Sequence, residues 1–78
     1  MLTNVPTDLL RTFVTVVDLG SYTRAGEALG RTQPAISLQI RRLEELLRTQ
    51  LINTEGRQIR LTDNGVALGP YARQILRL

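Results

Sequence analysis

The chain has 78 residues, enough for one small domain, with a net charge of +3 and a sequence pI near 10.6. It contains no cysteine and no histidine, which excludes disulfides, Cys/His metal sites and catalysis by either side chain. No apolar run approaches the roughly 18 residues of a membrane span, and the N-terminus lacks a signal-peptide pattern, so a cytoplasmic protein is expected. A core this small rarely contributes more than about 3–5 kcal/mol, which predicts stabilisation by a partner, most simply a second copy.

The charge is unevenly distributed. All ten basic residues are arginine. Residues 1–30 have a net charge of −1, whereas residues 31–78 carry eight arginines against four acidic residues, a net charge of +4. A basic second half indicates a polyanionic partner, and nucleic acid is the usual one. The alternative is that the charge serves only solubility.

The first predicted helix spans residues 7–19. Thr7 is the expected N-cap, and Asp8 lies near the positive end of the helix dipole. Although several β-branched residues would also suit a strand, the apolar positions follow the helical period: Leu10, Phe13, Val14 and Val17. Gly20 ends the helix. Phe13 is assigned to the core and has no predicted functional role.

A short second helix is predicted over residues 23–29, capped by Ser21 or Thr23. Its narrow apolar stripe consists of Ala25, Ala28 and Leu29. Two small residues, Ala25 and Gly26, would let another helix cross closely. Gly30 ends the helix in a left-handed conformation.

The third helix is predicted over residues 33–48, with Thr32 as N-cap and Pro34 in the first turn. Its buried stripe is Ile36, Ile40, Leu43 and Leu47. Gln33, Ser37 and Arg41 are spaced by four residues and therefore share one polar face, which we call the ridge.

A polar helix face is most often simply solvated. Here, however, a short helix, a glycine and two residues precede it, which is the layout of a helix-turn-helix whose second helix enters the major groove. In this interpretation Gln33 pairs with adenine and Ser37 with either type of base, while Arg41 reaches a phosphate.

Residues 51–54 and 58–61 are predicted to form a β-hairpin joined by residues 55–57. Ile59 and Leu61 alternate with two polar residues, as in a half-buried strand. Because an isolated hairpin is barely stable, it must pack on the helices as a wing. Arg57 at its tip is either solvated or placed at the minor groove.

Thr62 caps the last predicted helix, with Asp63 in its first turn. Pro70 after Gly69 predicts a kink or a local break. The apolar face is longer than a small core requires: Val66, Ala67, Tyr71, Ile75, Leu76 and Leu78. It has no recognisable C-cap, which predicts either that the helix continues or that the face is buried against another subunit.

Four stretches carry a family resemblance: SYTRAGEALG at 21–30, TQPAISLQIRRLE at 32–44, RQIRLTDNG at 57–65 and YARQIL at 71–76. Together they resemble the N-terminal DNA-binding domain of LysR-type bacterial transcriptional regulators, over nearly the whole chain. The Thr-Gln-Pro-Ala sequence with serine two positions on, followed by the Arg-x-Ile-x-Leu-Thr wing strand, is a specific combination.

The resemblance implies a mainly α fold. It comprises a winged helix-turn-helix of three helices and a two-stranded β-hairpin in residues 1–62, followed by a linker helix in residues 63–78. Residues 21–48 would form the helix-turn-helix and residues 51–61 the wing. The linker helix would pair antiparallel in a dimer and continue into an effector-binding domain that this sequence does not contain. A small-molecule co-inducer is then expected only for the full-length regulator, which could also form a higher oligomer. No cofactor or metal is expected in this domain.

The resemblance also implies roles for individual residues. The double-stranded DNA of a promoter or operator would be contacted at its base edges by Thr32, Gln33, Pro34, Ala35, Ser37 and Leu38. Phosphate and wing contacts would come from Thr23, Arg24, Arg31, Arg41, Thr54 and Arg57. The dimer would be formed by Val66, Tyr71, Ile75 and Leu78. Such a regulator would act as a homodimer on a dyad-symmetric site, in the cytoplasm and associated with the nucleoid.

Some positions depart from the family pattern. Leu38 replaces a residue that is often basic or polar, so it is expected to contact a thymine methyl group. Arg31 adds a cation at a turn position that is commonly apolar. Ile52 and Thr54 replace a common aromatic residue and a common arginine, and Pro70 is unusual in the linker helix.

Three alternatives remain at the sequence level. The chain could be a protein-interaction module that uses the apolar face of its last helix. It could be an enzyme, although Glu44 and Glu45 are adjacent and therefore point to different sides of one helix. It could also belong to another winged-helix family.

Overall fold

A computed structural model describes residues 5–55 and 58–78, with the side chain of residue 55 excepted. The chain is mainly helical, with four helices and one two-stranded antiparallel hairpin, and the predicted fold class is confirmed. The elements follow in the order α1 (Thr7–Leu19), α2 (Tyr22–Leu29), α3 (Gln33–Leu47), β1 (Ile52–Glu55), β2 (Gln58–Leu61) and α4 (Asp63–Leu76). In the part of the chain so described, no helix is long and apolar enough to cross a bilayer.

The first helix has the predicted bounds but a different N-cap, and the second helix begins one residue earlier than predicted. Thr7 is the first helical residue of α1 and not its cap, because Pro6 takes the N-cap position and no side chain closes the first turn. Ser21 caps α2 by accepting a hydrogen bond from the backbone N–H of Arg24 at 3.1 Å, so Thr23 lies inside the helix. Gly20 is left-handed with φ 66°, which confirms the predicted end of α1.

The third helix begins as predicted and ends one residue early. The hydroxyl of Thr32 accepts a hydrogen bond from the N–H of Ala35 at 3.3 Å. At the other end Arg48 adopts the left-handed conformation with φ 53° and caps α3 instead of continuing it. Of the predicted stripe, Ile36, Ile40 and Leu43 are buried and Leu47 is half-buried.

The hairpin pairs Ile52 with Leu61 and Thr54 with Ile59. The first strand starts at Ile52, one residue later than predicted. The backbone groups of Leu51 form hydrogen bonds with partners outside the two strands. Its N–H donates to the carboxylate of Glu44 at 2.8 Å and its carbonyl accepts from the N–H of Thr62 at 3.0 Å. The predicted alternation of β2 is confirmed by its exposure pattern.

The last helix runs continuously from Asp63 to Leu76, so the local break predicted at Pro70 is wrong. Proline removes one backbone donor, and the packing of the buried Ala72 against the core maintains the helix across that gap. The predicted lack of a C-cap is also wrong. Arg77 is left-handed with φ 59°, and its N–H donates to the last carbonyls of the helix.

The core is built around α1, which packs against α2, α3 and α4. Phe13 and Val16 are completely buried, which confirms Phe13 as a core residue. Val17, predicted for the core, is only half-buried. The one buried polar residue of α1, Thr12, donates a hydrogen bond to the side chain of Gln39 on α3 at 2.5 Å. The first and third helices are therefore joined by both apolar and polar contacts.

Candidate nucleic-acid interface

The turn between α2 and α3 is tight because Gly26 has no side chain. A Cβ atom at residue 26 would lie 2.6 Å from the carbonyl oxygen of Arg31. The N–H of Arg31 in turn donates to the carbonyl of Gly26 at 2.7 Å. The sequence predicts that Gly26 lets another helix cross closely. In the structure, the missing side chain of Gly26 instead makes room for the backbone of the turn at Arg31. This contact fixes α3 relative to α2.

The first two turns of α3 present the predicted base-reading residues. Gln33, Pro34 and Thr32 are exposed, Leu38 is 44% exposed, and Ala35 and Ser37 are half-buried. The side-chain amide of Gln33 donates a hydrogen bond to the hydroxyl of Ser37 at 2.7 Å. The ridge is therefore ordered internally.

An open cleft of about 430 Å³ separates this end of α3 from the wing. It is lined by Ser21, Tyr22, Thr23, Gln33, Thr54 and Ile59. The fold thus brings together three predicted site residues, Thr23, Gln33 and Thr54, which come from three different elements. Sequence reasoning missed Tyr22 and Ile59 as neighbours of this cleft. The strand register, which pairs Thr54 with Ile59, was the signal that could have identified Ile59.

Burial raises the pKa of the Tyr22 phenol, and the negative charge of Glu44 raises it further. Tyr22 is half-buried at the edge of the cleft and is neutral at physiological pH. It therefore offers the cleft an O–H group that can donate or accept a hydrogen bond.

The base of the wing is attached to both neighbouring helices. One carboxylate oxygen of Glu44 accepts hydrogen bonds from the N–H groups of Leu51 and Ile52, at 2.8 and 3.2 Å. From the other side, the Thr62 hydroxyl donates to the carbonyl of Gln50 at 2.6 Å. The sequence suggests for Glu44 only a poor acid–base pair with Glu45 and does not predict its hydrogen bonds to the base of the wing. The wing is thus held at a fixed position beside α3.

The predicted phosphate-binding arginines Arg24, Arg31 and Arg41 are exposed. Within residues 5–55 and 58–78, the one ion pair joins Asp18 to Arg73, away from these three side chains. Arg57, the predicted wing contact, lies outside the described residues.

In the described part of the chain, no three acidic residues lie together as a group that could hold a metal ion. Glu44 is hydrogen-bonded to backbone N–H groups, while Glu45 lines a separate open cleft together with Asp8 and Arg42. The two neighbouring carboxylates therefore face different surroundings, as their sequence positions predicted.

The four predicted dimerisation residues, Val66, Tyr71, Ile75 and Leu78, are between 57% and 69% exposed. They do not share one face of α4. Val66 lines a cleft with Phe13 and Val17 of α1, whereas Tyr71 lines a cleft with Leu47 and Leu51. Five residues apart, Val66 and Tyr71 differ by about 140° around the helix axis. Ile75 lies within about 40° of Tyr71, whereas Leu78 follows the C-cap Arg77, beyond the end of the helix.

Comparisons with known proteins connect this geometry to one family. The family model described as "Bacterial regulatory helix-turn-helix protein, lysR family" matches residues 7–66. The HTH-type transcriptional regulator PecT of Dickeya dadantii is 46% identical over 74 residues, which cover 95% of this chain and 23% of PecT. The chain thus spans about a quarter of the length of most of the curated relatives that it matches, and 46% of one of them.

Solved structures with a similar fold include DNA-binding domains. The BenM DNA-binding domain in complex with catB site 1 DNA superimposes with a TM-score of 0.89 at 37% identity, covering 94% of this chain and 82% of that one. The CbnR DNA-binding domain in complex with DNA gives a TM-score of 0.90 at 33% identity, covering 94% and 84%.

Proposed function

The chain belongs to the LysR family of bacterial regulatory helix-turn-helix proteins, and from this membership we propose that it binds double-stranded DNA sequence-specifically, without chemical catalysis, as part of a transcriptional regulator. The exposed ridge of α3 carries this proposal, because it presents hydrogen-bonding groups beside an open cleft and a supported wing. The similar domains of BenM and CbnR, whose structures are described as DNA complexes, support it.

In this proposal the N-terminal turns of α3 enter the major groove. Gln33 pairs with an adenine edge, and Leu38 supplies an apolar surface for a thymine methyl group. The remaining base-edge candidates surround them in the same two turns: Thr32, Pro34, Ala35 and Ser37. The oxygen of Thr32 accepts the capping hydrogen bond with one lone pair, which leaves its hydroxyl hydrogen and its second lone pair for DNA.

Phosphate contacts would set affinity and orientation. We assign them to the exposed cations Arg24, Arg31 and Arg41, and to the hydroxyls of Thr23 and Thr54 at the cleft. Arg57 is proposed for the minor groove from its sequence position in the wing alone.

We propose that α4 forms a homodimer, so that two copies of α3 reach two half-sites of a dyad-symmetric operator. The exposed apolar flank of Tyr71 and Ile75, followed by the exposed Leu78 after the C-cap, supports this role, because unburied apolar side chains of this kind mark an interaction surface. Val66 would contribute only from a second flank of α4, beside the cleft that it lines with Phe13 and Val17. A higher oligomer is proposed only for the full-length regulator.

DNA binding of this kind requires no cofactor and no metal. A small-molecule co-inducer, if the regulator uses one, would act on the full-length protein. The proposed location is the cytoplasm, at the nucleoid, because that is where the DNA is.

The first test is fluorescence anisotropy with a random duplex of about 40 base pairs over a series of salt concentrations. The proposal predicts a steep linear fall of log affinity with log salt, after which selection from a random library should yield the preferred sequence. An absence of binding at low salt, together with a stable oligomer in sedimentation, would favour an interaction module that uses the apolar flank of α4.

A further inference from the structure

The hydrogen bond between Gln33 and Ser37 connects two ridge residues that both lie at the proposed DNA surface. Its donor is the amide nitrogen of Gln33 and its acceptor is the hydroxyl oxygen of Ser37, 2.7 Å away and one helical turn further along. We propose that Ser37 is a positioning residue, which holds the Gln33 amide in the orientation that reads adenine. This inference rests on the proposed function.

The hydrogen-bonding capacity of the amide fits this role. A glutamine amide has two N–H donors and one carbonyl oxygen, and pairing with adenine N6 and N7 uses one donor and the oxygen. Ser37 takes one donor, so one donor and the oxygen remain. These are the two groups that an adenine edge requires.

The geometry of a primary amide indicates which donor Ser37 takes. One N–H lies beside the carbonyl oxygen and forms the flat edge that can pair bidentately with a base. The other N–H lies on the far side, towards the aliphatic stem of Gln33 and therefore towards its own helix. We assign this far N–H to the Ser37 hydroxyl, which lies on the next turn of α3, because the bidentate edge then stays free for a base.

The local packing keeps Ser37 in place. Ser37 is half-buried and follows Ile36, which is completely buried in the core. Gln33, in contrast, is exposed and has a long side chain with several rotatable bonds. Without Ser37, the amide would have to be ordered on binding DNA, and this ordering costs conformational entropy. Ser37 thus lowers the entropic cost of reading the base.

A double-mutant cycle tests whether Ser37 acts through Gln33. The probe is a duplex obtained by selection with this chain, in which the adenine read by Gln33 is kept or replaced by 7-deaza-adenine, which lacks the N7 acceptor. Wild type, Ser37→Ala, Gln33→Ala and the double variant are compared by anisotropy, with Ser37→Thr as the conservative variant that keeps the hydroxyl.

Wild type should prefer adenine over 7-deaza-adenine by about tenfold. Ser37→Ala should lower affinity for the adenine duplex by about 2- to 10-fold and reduce that preference, while Ser37→Thr should retain the preference. In the Gln33→Ala background, Ser37→Ala should have a clearly smaller effect, because only a contact of Ser37 itself with DNA can then be lost.

The inference is overturned if Ser37→Ala reduces affinity by the same factor in both backgrounds, since Ser37 would then contact DNA independently. It is equally overturned if Ser37→Ala leaves the preference for adenine intact. Failure of the proposed function has a different signature, because wild type would then show no salt-dependent binding to any duplex.

Discussion

At the scale of single residues, Glu44 links two parts of the interface. Its carboxylate accepts two backbone hydrogen bonds at the base of the wing, and its charge acts on the Tyr22 phenol at the edge of the cleft. A carboxylate that accepts backbone N–H bonds in a partly buried position is costly to remove, because both donors would lose their partner. Glu44 therefore stabilises the wing.

The raised pKa of Tyr22 makes a prediction about alkaline pH. The folded state favours the neutral phenol, so its contribution to stability is complete below the ordinary pKa of 10.0 and is lost as the pH rises through the higher folded value. Urea unfolding between about pH 8 and pH 11 should show this loss in wild type and less of it in Tyr22→Phe. The exposed Tyr71 provides the control, since Tyr71→Phe should follow wild type. Identical pH profiles for Tyr22→Phe and wild type would contradict the prediction.

Two ridge residues should differ in what they contribute to binding. Gln33→Ala should cost about 1–3 kcal/mol on the preferred sequence and reduce discrimination at one position. Arg41→Ala should weaken binding to all sequences about equally and reduce the salt slope by about one. Anisotropy on the selected and random duplexes separates the two effects. Equal losses on both duplexes for both variants would show that the assignment of roles is wrong.

At the scale of elements, the helices are ended by two kinds of residue. Gly20 and Gly30 adopt positive φ at the ends of α1 and α2, where a glycine is favoured, whereas arginines take this conformation after α3 and α4. A non-glycine residue in the left-handed region carries backbone strain. The conformational energy of ending α3 at Arg48 is therefore higher than that of ending α1 or α2 at a glycine.

Replacing Arg48 by glycine should relieve this strain. Arg48→Gly is expected to raise the free energy of unfolding by up to about 1 kcal/mol. Arg42→Gly is the matched control: it removes the same charge from an exposed position inside α3, and should lower stability by about 1 kcal/mol. Urea unfolding of both variants gives the comparison, and a loss of stability in Arg48→Gly would refute the strain argument.

The two glycines of α4 should respond differently to alanine. A Cβ atom at Gly65 would lie 2.2 Å from the carbonyl oxygen of Leu51, whereas at Gly69 nothing lies within 4 Å. Gly65→Ala should destabilise the chain by about 2 kcal/mol or more, since the backbone at the base of the wing must move. Gly69→Ala should stay within about 1 kcal/mol, because it meets only the following proline. Thermal unfolding of the two variants tests this, and similar melting temperatures would contradict it.

At the scale of the whole molecule, α4 is bound to the body and also exposes an apolar surface. Its buried side packs on α1, and an ion pair between Asp18 and Arg73 joins the two helices at the surface. The surface that remains is divided into two flanks, each with its own cleft. In the proposed dimer a partner helix would meet one flank or the other. The flank with more exposed apolar side chains contains Tyr71 and Ile75 and is followed by Leu78 after the C-cap.

This division predicts unequal effects on self-association. Ile75→Glu should shift the monomer–dimer equilibrium towards monomer by about tenfold or more, because a charge would be buried among apolar side chains. Val66→Glu introduces the same charge on the other flank and should have a smaller effect. Sedimentation equilibrium of both variants measures the difference. A larger effect of Val66→Glu would place the interface on the cleft beside α1.

The sequence by itself determined the number, order and type of the elements and the residues of the ridge. Caps such as Thr32, Thr62 and Gly30 act within four residues of their own position, so they can be read directly along the chain. Tertiary structure decided the contacts between distant segments. These include the role of Glu44 at the wing, the close approach at Gly65, the continuity of α4 through Pro70 and the separation of Val66 from Tyr71. The physical reason is that local hydrogen bonds depend on neighbouring residues, whereas each of these features depends on how elements pack together in space.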